Sequence, residues 1–156
     1  MKTPKRLPPL FTIGYEQAKP AAVLEELTRA GVALLVDIRA VAASRRPGFS
    51  KRQLAASLDE AGIGYLHLQK LGTPAQGRQA ARAGDLDTLW RIYDEHMQSE
   101  EAQAALAELV GLIREGRRIC LLCYERDPGH CHRSRIAALV RKRTRSTIEN
   151  LIPPLF

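Results

Sequence analysis

Short apolar runs alternate along the chain with longer segments in which apolar residues recur at helical spacing. Four runs predict strands, at residues 10–14, 32–36, 63–68 and 119–123, and residues 147–152 predict a short fifth strand. The run at 32–36 is apolar at every position, which is typical of a strand that is covered on both faces. The pattern therefore predicts a sheet buried between two layers.

The segments between these runs predict helices over 20–30, 51–61, 86–97, 101–114 and about 133–143. Pro20 suits the first turn of the first helix, and Gly31 marks its end. Ser50 is a favourable N-cap for the second helix. Residues 69–84, rich in Gly, Ala and Arg, are expected to form a long loop.

This alternation of strands and helices predicts an α/β fold. The expected architecture is a single domain over residues 1–156, with a mostly parallel sheet of four to five strands and helices on both faces, in a Rossmann-like three-layer arrangement. Ligands of such sheets bind beyond the carboxyl ends of the strands. Polar residues follow four of the predicted strands, so we expect distant segments to converge at one edge.

The segment after the fourth strand carries the most reactive side chains. Cys123 and Glu125 lie at the strand end, and Cys131, His132 and Arg133 open the last helix. The free N–H groups of a helix start bind anions and lower the pKa of a thiol. We therefore predict Cys131 as a nucleophile and Glu125 as a general base or a partner for a guanidinium. A structural thiol and a solvent-facing glutamate are the alternatives.

A carboxylate and a guanidinium follow the second strand. Asp37 and Arg39 lie on the same side of the chain, because Ile38 between them points the other way. A buried carboxylate needs a partner, for which Arg39 and Arg133 are the candidates. The pair is predicted to orient a substrate, and a structural salt bridge is the alternative.

Further candidates for anion binding come from the neighbouring loops. Ser44, Arg45 and Arg46 offer a hydroxyl and two guanidinium groups, a set that suits phosphate or carboxylate, although an ordinary exposed basic loop has the same composition. Tyr15 follows the first strand at the same edge. The predicted binding residues are Tyr15, Arg39, Ser44, Arg45, Cys123, His132 and Arg133.

Charge and hydropathy narrow the classes of partner. The net charge is +7, and the last helix is rich in arginine, which indicates either a solvated basic surface or attraction to phosphate. Aromatic residues make up 5% of the chain, too few for a stacking platform for single strands. No apolar run is long enough to span a bilayer and no signal peptide is recognised, so we expect a cytoplasmic protein with no membrane partner.

The three cysteines all lie within residues 120–131. An odd number in one cluster does not suggest a disulfide framework, and a cytosol would keep these thiols reduced. Together with His130 and His132 they resemble a zinc ligand set. However, Cys120 and Cys123 are three apart on a predicted strand and should point to opposite faces. No metal or cofactor is therefore assigned, and a zinc-stabilised fold is kept as an alternative.

Several motifs together resemble the bacterial and archaeal family called domain of unknown function 488. The matching segments are Phe11-Thr12-Ile13-Gly14-Tyr15, Val36-Asp37-Ile38-Arg39, Ser44-Arg45-Arg46-Pro47-Gly48-Phe49-Ser50, Tyr65-Leu66-His67-Leu68 with Leu71-Gly72, and Leu122-Cys123-Tyr124-Glu125 with Cys131-His132-Arg133. The resemblance implies a small stand-alone α/β protein. It also implies characteristic residues at Asp37, Arg39, Ser44, Arg45, Cys123, Glu125, Cys131, His132 and Arg133. Thr73-Pro74 departs from the family pattern, which has a second glycine here.

We therefore predict an enzyme, a cysteine- or carboxylate-dependent transferase or hydrolase with Cys131, Glu125 and Asp37 as catalytic residues. Its substrate is expected to be anionic, a nucleotide or a nucleic-acid fragment. One alternative is a non-catalytic module that binds nucleic acid through the basic C-terminal helix, and the other is the zinc-stabilised fold. The sequence does not predict the oligomeric state.

Overall fold

The computed structural model describes residues 6–155, so the two ends of the predicted domain 1–156 lie outside it. The strands are β1 Leu10–Gly14, β2 Leu34–Asp37, β3 Gly64–His67, β4 Ile119–Cys123 and β5 Ile148–Leu151. They form a five-stranded sheet in the order β3-β2-β4-β1-β5, and every strand pair is parallel. The predicted α/β fold with a parallel sheet is confirmed.

The helices are α1 Pro20–Arg29, α2 Lys51–Glu60, α3 Ala75–Arg82, α4 Leu86–His96, α5 Glu100–Arg114 and α6 His132–Thr144. Short 3₁₀ turns occur at Gln69–Leu71 and Pro128–His130. Within residues 6–155, no helix combines the length and the apolar character that a membrane crossing requires.

Two hydrophobic cores cover the two faces of the sheet. The central strands β1, β2 and β4 are buried at every residue, which explains their continuous apolar runs. Helices α1 and α2 pack on one face through Val23, Leu27, Leu54 and Leu58. Helices α4, α5 and α6 pack on the other through residues that include Tyr93, Leu106, Leu109 and Ile136. The prediction of helices on both faces is also confirmed.

The predicted loop at 69–84 is wrong, because it contains α3. Residues 75–82 are mostly Ala, Gln and Arg, which are good helix formers, and Pro74 precedes the first turn. Gly77 is buried between Thr73 and α4: an added Cβ would be 2.7 Å from Thr73 Cγ2, which is too close, and 3.5 Å from Ile92 Cγ2 on α4, which is an ordinary contact. The other elements match their predicted bounds to within two residues.

Gly14 lets the end of β1 approach the loop that follows β4. Beyond β1, the amide of Tyr15 donates to the carbonyl of Cys123 at 3.3 Å, and that of Glu16 donates to the carbonyl of Tyr124 at 2.8 Å. A Cβ added to Gly14 would overlap the carbonyl group of Glu125. The absence of a side chain at this position is therefore required for the two strand ends to come together.

We expect Gly14→Ala to lower the free energy of unfolding by about 2 kcal/mol or more, because the loop after β4 must move. Gly111→Ala is the matched control, since an added Cβ there meets nothing within 4 Å in the interior of α5. The control should stabilise the protein by up to about 1 kcal/mol through helix propensity. Urea unfolding measures both changes, and equal effects would contradict the assigned role of Gly14.

Candidate functional site

A cleft lies beyond the carboxyl ends of β1, β2 and β4. The chain leaves β1 and β4 toward opposite faces of the sheet, which opens a crevice where the strand order reverses. Two adjoining cavities of about 340 and 370 Å³ occupy it. Both are lined by Thr73, Arg78, Tyr124, Glu125 and His132. These volumes suit a small molecule.

Asp37 and Arg39 form a buried ion pair beside this cleft. Arg39 Nε donates to Asp37 Oδ1 at 2.9 Å, and Nη2 donates to Oδ2 at 2.7 Å. Tyr65 Oη donates to the same Oδ2 at 2.5 Å. Burial acts to lower the pKa of Arg39, but the hydrogen bonds and charge of Asp37 outweigh it and raise that pKa.

The two members of the pair face different surroundings. Arg39 lines the smaller cavity, and its Nη1 donates to Tyr15 Oη at 3.1 Å and to the carbonyl of Phe49 at 2.7 Å. Asp37 is fully buried and lines neither cavity. Asp37 and Arg39 are therefore paired, with Arg39 facing the smaller cavity and Asp37 buried behind Arg39.

The predicted anion-binding residues of the loop after β2 lie in different surroundings. Ser44 lines the smaller cavity, whereas Arg45 is exposed and lines neither cavity. Arg46 lies under the loop, where its Nη1 donates to the carbonyl of Tyr15 at 2.6 Å and its Nη2 donates to the carbonyl of Ala18. Arg46 therefore anchors the loop, and Ser44 alone of the three lines the cleft.

Arg133 is the largest fully buried side chain of the described chain. Its guanidinium donates to the carbonyls of Glu125 and Arg126, at 2.5 and 3.0 Å, and to Thr12 Oγ1 at 3.3 Å. Nη1 also lies 2.9 Å from Cys123 Sγ. Burial lowers the pKa of Arg133. It forms no ion pair with Asp37, so its contacts hold the loop after β4 rather than the cleft.

The sulfur atoms of Cys123 and Cys131 are joined in a disulfide, with their Cα atoms 7.2 Å apart. This pairing differs from the expectation that all three cysteines are separate thiols. Cys123 lines the smaller cavity, whereas Cys131, the predicted nucleophile, is buried as the N-cap of α6 and lines neither cavity. Cys120 packs in the core on the opposite face of the sheet, as predicted, and burial raises its pKa.

His132 lies beside the disulfide and lines both cavities. Its Nε2 is 2.7 Å from the carbonyl oxygen of Ile38, which can only accept, so Nε2 carries the proton. The unprotonated Nδ1 then faces Cys131 Sγ at 3.6 Å. Burial lowers the pKa of His132 to about 4, and the ring is neutral at neutral pH.

Glu125 is the one predicted catalytic residue that lines both cavities. Burial raises the pKa of its carboxyl group. Oε2 lies 3.6 Å from Cys123 Sγ, and the carboxylate is in none of the ion pairs within residues 6–155. A half-buried carboxyl group in a cleft is suited to proton transfer.

Three residues that line both cavities, Thr73, Arg78 and Tyr124, were not identified from the sequence as site residues. Arg78 donates through Nη1 to the carbonyl of Thr73 at 2.8 Å, and none of the ion pairs described for residues 6–155 includes it. It was missed because its helix was predicted as a loop. Tyr124 is exposed and packs edge-on against Tyr15, with ring centroids 5.4 Å apart. The position of Tyr124 in the sequence, between the candidate residues Cys123 and Glu125, could have indicated that it lies at the site.

The comparison with protein families agrees with these motifs. The sequence model described as Domain of unknown function DUF488 matches residues 19–140. The chain belongs to this family. The DUF488 match includes the candidate residues of the loops after β2 and β4, and Tyr15 lies before it. No curated protein and no solved structure matches the chain.

In this DUF488 chain we expect Arg133→Lys to lower the free energy of unfolding by about 3 kcal/mol, because an ammonium cannot reach all the buried acceptors of the guanidinium. Arg135→Lys on the same helix is the matched control. Arg135 is partly exposed and pairs with Asp94 at 3.2 Å, so its replacement should cost less than about 1 kcal/mol. Similar losses in denaturant unfolding of the two variants would refute the role assigned to Arg133.

Proposed function

We propose that the protein is an enzyme that binds a phosphate-bearing planar molecule of nucleotide size in the cleft, with Glu125 as the proton-transfer group. The observation that carries this proposal is that Arg78 and Glu125 line both cavities and neither belongs to an ion pair within residues 6–155. A cation and a carboxyl group that both face a shared cleft can hold the two ends of one substrate.

Basic side chains support the anionic part of the substrate. Arg78 offers its remaining N–H groups to the cleft, and Arg82 and His130 line the larger cavity. Guanidinium groups bind phosphate through two parallel hydrogen bonds. In the smaller cavity, Ser44 adds a hydroxyl group that can donate to a phosphate oxygen. The phosphate is therefore assigned to the side of the cleft formed by α3.

Aromatic rings support a planar part of the substrate. Tyr124 lines both cavities, Tyr15 lines the smaller one and Trp90 the larger. Tyr124 is exposed, so a flat ring can stack on it without displacing a neighbour. Together with volumes of about 340 and 370 Å³, these rings favour a nucleotide over inorganic phosphate alone.

The chemistry is assigned to Glu125 because of where the other candidates lie. Asp37 is fully buried behind Arg39, and Cys131 is buried beneath the cleft. The carboxyl group of Glu125 is the one that a bound substrate can contact. This favours a carboxylate-dependent transferase or hydrolase over a mechanism that uses the Cys131 thiol as nucleophile.

Arg78→Gln should weaken the binding of a nucleoside monophosphate at least tenfold and leave the weaker binding of the corresponding nucleoside unchanged, because one charge-assisted contact is lost. Arg91→Gln, at an exposed position of α4, is the matched control and should bind as the unmodified protein does. Calorimetric titration with a panel of nucleotides and nucleosides measures both. If no nucleotide binds the unmodified protein, the proposed substrate class is wrong.

Glu125→Gln should retain nucleotide binding and lower turnover about 100-fold or more, because an amide cannot transfer the proton. Chromatographic detection of released base or phosphate measures turnover of each nucleotide that binds. A Glu125→Gln variant with unchanged turnover would exclude proton transfer by this residue.

A basic surface at the opposite end of the molecule favours nucleic-acid binding as a second candidate function. Arg141, Lys142 and Arg143 end α6, and Arg114 Nη2 donates to the carbonyl of Arg143 at 2.8 Å. Arg117 and Arg118 precede β4, and Arg118 lines a surface cavity together with Arg114. All of these side chains are exposed, and none is in the ion pairs within residues 6–155.

If this surface binds nucleic acid, the triple variant Arg141→Gln/Lys142→Gln/Arg143→Gln should weaken binding to duplex DNA and flatten its salt dependence. Each lost phosphate contact reduces the slope of log K against log salt by about 0.9. The control Lys51→Gln/Arg52→Gln/Arg91→Gln removes the same charge from other exposed positions. Fluorescence anisotropy over a salt series separates the two, and equal slopes would rule this surface out.

A further inference from the structure

Three metal-binding atoms meet in the wall of the cleft. Cys123 Sγ, Cys131 Sγ and His132 Nδ1 or Nε2 lie within 4.8 Å of one another, and no other such group occurs within residues 6–155. We propose that the reduced protein binds one Zn²⁺ ion through Cys123, Cys131 and His132. This inference does not depend on the nucleotide proposal, because it concerns the protein's own side chains.

The imidazole of His132 is already oriented for metal binding. Nε2 lies 2.7 Å from the carbonyl oxygen of Ile38, which leaves the lone pair of Nδ1 directed toward Cys131 Sγ at 3.6 Å. Histidine ligands of zinc characteristically donate their second ring N–H to a carbonyl or carboxylate, which fixes the ring and its tautomer. The contact with Ile38 is an interaction of this kind.

Donors around the sulfur atoms favour two thiolates. Arg133 Nη1 lies 2.9 Å from Cys123 Sγ, and the backbone N–H of Arg133 donates to Cys131 Sγ at 3.4 Å. Cys131 is also the N-cap of α6, a helix of 13 residues whose positive end is directed at the sulfur. The guanidinium and the helix start therefore stabilise the negative charge that zinc ligation requires.

The spacing of the backbone also suits two thiolates on one ion. The Cα atoms of Cys123 and Cys131 are 7.2 Å apart. This separation exceeds the usual range of up to about 6.8 Å for a disulfide. Zinc–sulfur bonds of about 2.3 Å at tetrahedral angles hold two sulfurs about 3.8 Å apart, which a wider backbone separation accommodates.

Three protein ligands leave one tetrahedral position for water or substrate. Cys123 and His132 both line the smaller cavity, and Glu125 Oε2 lies 3.6 Å from Cys123 Sγ. The ion would therefore lie beside Glu125. This ligand set differs from the one considered in the sequence, because Cys120 lies in the core on the other face of the sheet.

Zinc binding and the disulfide exclude each other. A phosphine reductant supplies two electrons to the disulfide and becomes its oxide with the oxygen of one water molecule, whose two protons pass to the two sulfurs. On binding Zn²⁺, the two thiols release two protons, and His132 donates a lone pair without losing a proton. The oxidised chain, in which the sulfurs are bonded to each other, has no thiolate to offer.

Cobalt(II) and zinc added to the reduced, metal-free full chain test the site. Co²⁺ should give the visible bands of tetrahedral coordination and a sulfur-to-cobalt charge-transfer band, and Zn²⁺ should displace it at one ion per chain. Cys123→Ser, Cys131→Ser and His132→Gln should each weaken Zn²⁺ binding about 100-fold or more, since loss of a second-shell partner alone costs about 10- to 100-fold. Cys120→Ala is the matched control and should bind as the unmodified protein does.

Circular dichroism shows whether each variant folds, and the unmodified chain supplies a test that needs no variant. Reduced protein should bind one Zn²⁺, and protein oxidised with diamide should bind none. The proposal is overturned if the reduced chain binds no Co²⁺ or Zn²⁺, or if the oxidised chain binds as much metal as the reduced one. Retained binding in a folded Cys123→Ser variant, or lost binding in a folded Cys120→Ala variant, overturns the assigned ligand set.

Discussion

The guanidinium of Arg133 holds the two ends of the most reactive segment together. It comes from the first turn of α6 and donates to the carbonyls of Glu125 and Arg126, which follow β4. Burying a cation is costly, and here carbonyl dipoles and a sulfur offset the cost without a carboxylate in contact. The positions of Cys123, Glu125 and Cys131 relative to one another therefore depend on this one side chain.

Arg39 is also a buried cation, but its charge is compensated in a different way. It is nearly as buried as Arg133, but it is paired with the fully buried carboxylate of Asp37. Its remaining contacts, to Tyr15 and Phe49, join the ends of β1 and β2. The inner wall of the cleft is thus built from groups whose charges are already compensated. Arg78 and Glu125, the two charged groups that line both cavities, belong to none of the ion pairs within residues 6–155 and are left to face the cleft.

The sheet can be predicted from the periodicity of the apolar residues. The convergence of polar residues at its carboxyl edge can be predicted because the strands are parallel. Prediction from the sequence fails for α3, because residues 75–82 contain no large apolar side chain and the helix packs through Gly77 instead. It also cannot separate guanidinium groups that bind a ligand from those that bind the chain. Arg46 and Arg133 look like anion-binding residues in their motifs, yet their acceptors are backbone carbonyls whose positions only the folded chain defines.

The direction of the Cys131 side chain is a similar case. A helix start and a neighbouring histidine favour a reactive thiol there, but the N-cap position turns its sulfur inward toward Cys123. Cys123, the last residue of β4, is therefore the cysteine of this pair that lines the smaller cavity. Because Glu125 lies two residues further on and its carboxyl group is 3.6 Å from the sulfur of Cys123, the proposed zinc ion and the proposed proton-transfer group would lie side by side in the cleft.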